Sequence, residues 1–519
     1  MKEFVRRHAA AVIGILSGFD RILFRGALRA LMYEGGMMGY LSGANVRLTE
    51  FGAHAERVTA QVRAACVSVA ERAQRPVIYL SSARTSKEDQ ARVIAARDRI
   101  DTGLICIFKS VEPCLSYEIH RNREKQWLEL KLTERKCLHY YQYWMHPRLG
   151  LMHARIQTWF PFTIHVCLNG REWLGRTLRR KGLGFERREN CFTWLEDGPR
   201  TQALLNAQLN TDWDALLDGV ARQLNPAHAQ IFARCPLSYY WTAPQTEWAT
   251  DVLFKDAASL RAVYPGLVRE AIQCFAAVDV LRFLQRHAVT ERYLRRVPGE
   301  LTSDLKSRPE GLRLRHALNG NSVKMYDKQG SVLRVETTID NPHDFQVYRP
   351  KEGGPAEEKN WRMMRKGVAD LFRRAEVSQA VNERYLEKLA AIDQAQALQE
   401  CVAPLCRPVH WKGQRVRALN PWGQDAELLA LLLHGEFDLN GFRNRDLQAH
   451  LFGVNTDDKK DARRRSSRVS RLLRMLRAHH LIRKVPRTHR YQLTDTGRST
   501  LLALRAAHNA NPRKLLEAA

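Results

Sequence analysis

The chain has 519 residues, of which 45% are hydrophobic and 27% charged; 83 Lys and Arg stand against 55 Asp and Glu, a net charge of +28. This length exceeds one ordinary core, so two to four domains are expected, and the composition excludes a disordered chain. The excess positive charge favours a polyanionic partner, nucleic acid before a membrane, because no run approaches the roughly 20 apolar residues of a spanning helix.

The opening MKEFVRRHAAAVIGILSGFDR places basic residues before an apolar run from Ala9 to Leu16, as a signal peptide does. No small-x-small cleavage site follows, and Asp20, Arg21 and Arg25 come at once. The run is therefore expected to be an N-terminal helix docked on its own domain. The ten cysteines are scattered without CxxC pairs, which suits free thiols and a cytoplasmic location.

Residues 1–235 alternate strand and helix signals. Arg75 to Leu80 reads as a strand, Ser86 to Ile100 as a helix with a serine cap and an acidic first turn, and Gly103 to Phe108 as a second strand. Longer strand candidates follow in WLELKLTER, ARIQTWFPFTIHVCLNG and CFTWLE, interrupted by a helix from Arg171. Arg176, Arg179 and Arg180, with Lys181 beside them, share one face of that helix and are candidate phosphate contacts. The run Lys136 to Phe160 interleaves His139, His146 and His153 with tyrosines and tryptophans. It reads as a core-filling strand pair, with base stacking as the alternative.

Residues 236–400 form a second unit, with a strand from Thr246 to Phe254, helices to about residue 290, a hairpin from Asn319 to Thr338, and a helix from Trp361. A three-residue hairpin loop, Gln329 to Ser331, sets Tyr326 opposite Arg334, Lys324 opposite Glu336 and Met325 opposite Val335. One face is then apolar, and the other carries Lys324, Tyr326, Arg334 and Glu336. Residues 401–423 have the proline and glycine density of a linker; Cys401, Cys406 and His410 there lack a fourth ligand at zinc-site spacing. The expected fold class is thus α+β, a mostly antiparallel sheet body in two units followed by a C-terminal domain over 424–508 and a tail over 509–519.

In that C-terminal part, Gly441 to Tyr491 holds fifteen Lys and Arg against four Asp and Glu, a net of +11. Three helix signals are followed by LIRK, HRYQL and a final capped helix at TDTGR. This order resembles a winged-helix DNA-binding domain of the MarR-like kind. The resemblance implies a third helix that enters the major groove with Arg464, Ser467, Arg468 and Arg471, while Val469, Leu472, Leu473 and Leu476 face the core. Arg487, His489 and Arg490 would sit on the wing; such domains often form homodimers.

The hairpin motifs KMYDK and LRVE, downstream of a strand ending ATDVLF, resemble the nicking domain of replication initiators from rolling-circle plasmids and filamentous-type phages. The resemblance covers residues 247–336. It implies Tyr326 as a nucleophile that forms a phosphotyrosine, Lys324, Lys328 and Arg334 on the phosphate, and Mg²⁺ or Mn²⁺ held by Asp251 and Glu336. Tyr239, Tyr240, Tyr293 and Tyr348 remain alternative nucleophiles, and the His-hydrophobic-His pair of the larger tyrosine-nickase superfamily is absent. The sequence reads best as a nucleic-acid-binding protein of a mobile element, which binds DNA through the winged helix and holds or nicks it with the body. A non-catalytic transcriptional regulator and a structured-RNA-binding protein are the two alternatives.

Overall fold

The computed structural model describes residues 1–81, 85–124, 126–273, 275, 277–284, 301–308, 311–351, 354–355, 357–390, 398–433, 437, 441–453, 458–486 and 488–508. Its strands up to residue 339 are β1 (Val12–Leu28), β2 (Val77–Tyr79), β3 (Gly103–Asn122), β4 (Trp127–His146), β5 (Gly150–Gln157), β6 (Ile164–Asn169), β7 (Phe185–Arg188), β8 (Cys191–Leu195), β9 (Tyr239–Phe254), β10 (Thr302–Arg308), β11 (Gly311–Leu318), β12 (Asn321–Lys328) and β13 (Val332–Ile339). All but the β7–β8 hairpin join one 11-stranded sheet in the order β10-β11-β12-β13-β9-β1-β6-β5-β4-β3-β2. Only the β2–β3 pair is parallel, so the fold is α+β with a mostly antiparallel sheet.

The sheet crosses the division expected at residue 235. β1 pairs with β6 on one side and with β9 on the other, so strands from both stretches are hydrogen-bonded into one layer. The two stretches do pack separate cores on the same face of that layer. Helices Glu34–Gly43, Phe51–Arg72 and Trp213–Leu224 cover Phe19, Ile22, Phe24 and Trp248. Helices Ala257–Gln273, Ala277–Leu284 and Leu371–Ala390 cover Val252, Val323, Met325, Leu333 and Val335.

Three further sequence expectations change. The apolar run at Ala9 to Leu16 is not a helix: a short helix, Lys2–Arg7, gives way to β1, because Val12, Ile13 and Ile15 are β-branched and the strand, buried throughout from Leu16 to Asp20, alternates in burial from Arg21 on. The helix expected from Trp361 begins at Leu371, and Lys359–Met363 is instead a strand paired with Gln346–Pro350. The segment expected to be a linker, 401–423, is packed structure. It carries a small hairpin, Val409–Trp411 with Gln414–Val416, and Val402, Leu405, Val416 and Leu419 are buried in the C-terminal core. Proline and glycine there shape turns in a folded segment.

That C-terminal core also encloses helices Ala426–Leu431, Asn444–Phe452, Lys459–Ala478 and Asp495–His508. Between the last two, Ile482–Lys484 pairs with Tyr491–Leu493, and Phe442 bridges to Tyr491 from the other side.

Candidate functional site

The hairpin β12–β13 has the register its sequence implies. Tyr326 faces Arg334, Lys324 faces Glu336 and Met325 faces Val335, with Gln329 and Gly330 at positive φ in the three-residue loop. Its polar face is not free, however. Helix Gly170–Arg180 and the β7–β8 hairpin lie over that side of the sheet, where Leu16, Leu174, Leu178, Phe192, Leu253 and Val332 form a small core.

Beside this core runs a buried ionic network. Arg334, only 1% exposed, donates from Nε and Nη2 to the two oxygens of Asp251 at 2.6 and 3.0 Å. It also donates from Nη1 to Asp20 at 3.2 Å and from Nη2 to the carbonyl of Asn190 at 2.8 Å. Arg171, the first side chain of the covering helix, reaches Asp251 at 3.1 Å and the carbonyl of Ala249 at 3.0 Å. Lys324 donates to Glu336 at 2.8 Å and lies 3.5 Å from Glu247. Asp20 is delivered by a bulge: β1 carries one extra residue between Phe19 and Arg21, so Asp20 and Arg21 both turn away from the core.

The electrostatics follow from this packing. Burial would raise Asp251, but Arg334 and Arg171 hold its carboxyl below the ordinary range; burial likewise opposes ionisation of Glu336, which Lys324 and Arg334 restore. Glu247 is pushed up to about 7, by burial and then by the Glu336 charge. Tyr326, half-buried at the margin, is pushed up to about 12 by burial and by Glu336.

These placements revise the roles implied by the initiator resemblance. Asp251 has both oxygens engaged by guanidinium groups, a setting that suits an ion-pair partner rather than a metal ligand. Glu336 is brought within 4.8 Å of Asp20 and Glu247, the only grouping of three carboxylates among the described residues that has metal-ligand spacing. Lys324 already stands against two of the three, and Arg334 against the other. With Lys328 and Arg171, four cations face the four carboxylates Asp20, Glu247, Asp251 and Glu336, so a divalent ion would have to displace an ammonium. Mg²⁺ or Mn²⁺ does not fit this arrangement. Arg334 makes four hydrogen bonds to protein acceptors, and Tyr326, with its proton held more tightly than usual, is poorly suited to attack a phosphodiester. Lys328 is buried, with its ammonium 6.0 Å from the Tyr326 ring centre.

The remaining candidates lie elsewhere. Arg179, Arg180 and Lys181 are exposed at the end of helix Gly170–Arg180, while Arg176 donates to the carbonyl of Asp101. On helix Lys459–Ala478, Arg464, Ser467, Arg468 and Arg471 are exposed while Val469, Leu473 and Leu476 are buried. His489 is exposed, Arg490 is half-buried and bonded to the carbonyl of Gly441, and Arg487 lies outside the described residues. Sequence reasoning missed Asp20, Arg171 and Glu247; an aspartate inside the apolar strand GILSGFDRILF was the signal for the first.

No family model matches this chain, and no curated protein or solved structure matches it.

Two outcomes follow from the network. Arg334→Met strands Asp20 without its cation and costs Asp251 its main partner, so urea denaturation is expected to register a loss of about 3–5 kcal/mol. Glu247 holds its proton more tightly folded than unfolded, so this carboxyl lowers stability as pH rises from about 4.5 through about 7. Glu247→Gln should raise the melting temperature above pH 7, with the gain vanishing toward pH 4.5; an equal effect at both ends would refute the raised carboxyl.

Proposed function

We propose that the protein binds DNA through its C-terminal region, acting as a winged helix, and that the body holds nucleic acid rather than cutting it. The observation that carries this reading is the two-sided helix Lys459–Ala478, which turns Arg464, Arg468 and Arg471 outward and buries Val469, Leu473 and Leu476. A basic stripe on one rigid helix suits phosphate contact and bidentate readout of guanine in the major groove.

The neighbouring elements support that use. Helix Asn444–Phe452 braces the basic helix, with Asn444 Nδ2 donating to the Ser466 carbonyl at 3.0 Å and to Ser470 Oγ at 2.8 Å. The strand pair Ile482–Lys484 and Tyr491–Leu493 follows at the position of a wing, with His489 exposed near its turn. In this reading the helix and the pair would serve as the two contact elements of a winged helix. We read the whole as a regulator or initiator-type binding protein of a mobile element. The setting of Tyr326 and Asp251 argues against tyrosine nicking in the body; preference for folded RNA over duplex would favour the third reading.

Fluorescence anisotropy with a mixed-sequence 30-base-pair duplex, titrated between 50 and 200 mM NaCl, tests the binding. Replacing Arg464, Arg468 and Arg471 together with Gln should weaken affinity at least about tenfold and reduce the salt slope by about 3. Unchanged affinity and slope would remove the winged-helix assignment. In parallel, incubation with supercoiled and single-stranded DNA in Mn²⁺ is expected to leave no covalent protein–DNA adduct on denaturing gels. An adduct lost in Tyr326→Phe would restore the nicking activity.

A further inference from the structure

The sheet face that carries the ionic network continues past it across β1, β6 and β5. Along β1, Ile22, Phe24 and Leu28 are buried in the core, while Arg21 is exposed and Leu23, Arg25 and Ala27 are half-buried. The same alternation sets His165 and Cys167 on β6, and His153 and Arg155 on β5, onto this side. Helix Lys87–Arg97 covers only the neighbouring part, where Cys106, Phe108, Tyr143 and Leu151 are buried against it.

In this part, three half-buried basic side chains lie in one line. Arg25 is directly opposite His165, and His165 is directly opposite Arg155. Strand spacing puts the two arginine backbones only about 10 Å apart, with the imidazole between them. Two guanidiniums on one face two strands apart still repel where water is partly excluded, and a half-buried guanidinium normally finds a carboxylate. Among the described residues Arg25 has none: its Nε is buried without a hydrogen-bond partner there. Burial and Arg155 lower its hold on the proton; burial and the two arginines push His165 down to about 3, so its ring is neutral and can donate one N–H. Arg155 does reach Glu112, but at 3.4 Å and in competition with Ser110, Tyr141 and Lys87, which are closer at 2.6, 2.6 and 3.2 Å.

We propose that Arg25, His165 and Arg155 form a phosphate-binding row, which takes the backbone of a single nucleic-acid strand laid across the open sheet face. Two guanidiniums offer forked donors to non-bridging oxygens, and the neutral imidazole supplies a third donor between them. Arg21, exposed on the same strand, extends the row toward the carboxylate network. The negative charge missing from the row is what a phosphodiester or a free phosphoryl compound brings. This inference deepens the nucleic-acid reading but rests on residues separate from the C-terminal helix.

The test uses the full chain with Arg25→Gln, Arg155→Gln and the double substitution, together with Arg25→Lys. Anisotropy with a labelled 20-nucleotide thymidine strand between 50 and 200 mM NaCl should give a double variant at least about tenfold weaker, with a salt slope reduced by about 1–2. Arg25→Lys should keep the slope, and the melting temperature of Arg25→Gln should be equal to or above that of the parent, since repulsion is relieved. Strand affinity and slope unchanged in the double variant, with duplex binding intact, would overturn the row alone. Failure of duplex binding with a strand affinity that still depends on Arg25 and Arg155 would instead overturn the winged helix alone. Inorganic pyrophosphate separates the sources: binding of it that needs both arginines, without any strand affinity, would keep the phosphate site and overturn the strand as its ligand.

Discussion

Arg334 is the joint on which the centre of the molecule depends. Its guanidinium ties β13 to β9 through Asp251, to β1 through Asp20, and to the overlying β7–β8 hairpin through the Asn190 carbonyl. Moving four carboxylates and four cations out of water is costly, and apolar residues could have filled the same volume at no loss of stability. What the ions add is direction. An apolar layer tolerates sliding, whereas a planar fork that must meet Asp251, Asp20 and one carbonyl accepts a single placement of helix Gly170–Arg180 and its hairpin over the sheet.

The network also explains why the two faces of the sheet differ. One face is covered along its length by the long helices and their aromatic and aliphatic cores. On the other, cover is local, and charge is balanced where cover exists and unbalanced where it stops. Near Arg334 every cation faces an anion; a few residues further along β1, Arg25 stands between Thr242 and a neutral histidine, with Arg155 beyond it. The excess positive charge of the chain is therefore distributed by position: neutralised inside, and only partly opposed on the open sheet and on helix Lys459–Ala478.

The sequence made local structure legible wherever a short-range rule decides it. The hairpin register followed from the alternation of Val323, Met325, Val335 and the glycine-containing loop, and the C-terminal helix showed its core face through Val469, Leu473 and Leu476. Long-range features were not legible. Asp251 and Glu336 were paired as ligands through the initiator resemblance, yet what decides their chemistry is Arg171, about 80 residues before Asp251, and a bulge at Asp20 that no periodicity announces. The N-terminal apolar run misled because its composition fits a helix as well as a buried strand, and length alone does not separate the two. Arg25, His165 and Arg155 were unremarkable in sequence; only the pairing of three strands sets them in line.

The position of β1 in the sheet has a consequence for how the chain acquires its structure. This strand is flanked by β6 and β9, and its partner residues on β9 lie more than 200 positions later in the chain. At a synthesis rate of roughly 5–20 residues per second, one edge of β1 waits about 10–50 s on the ribosome before the strand that closes it exists. Through that interval a long edge with Ile13, Ile15 and Leu16 on it lies open to pairing with other chains. The charges at Asp20, Arg21 and Arg25 interrupt that edge, so the residues that later build the interior network and the open face also guard the unfinished sheet against aggregation.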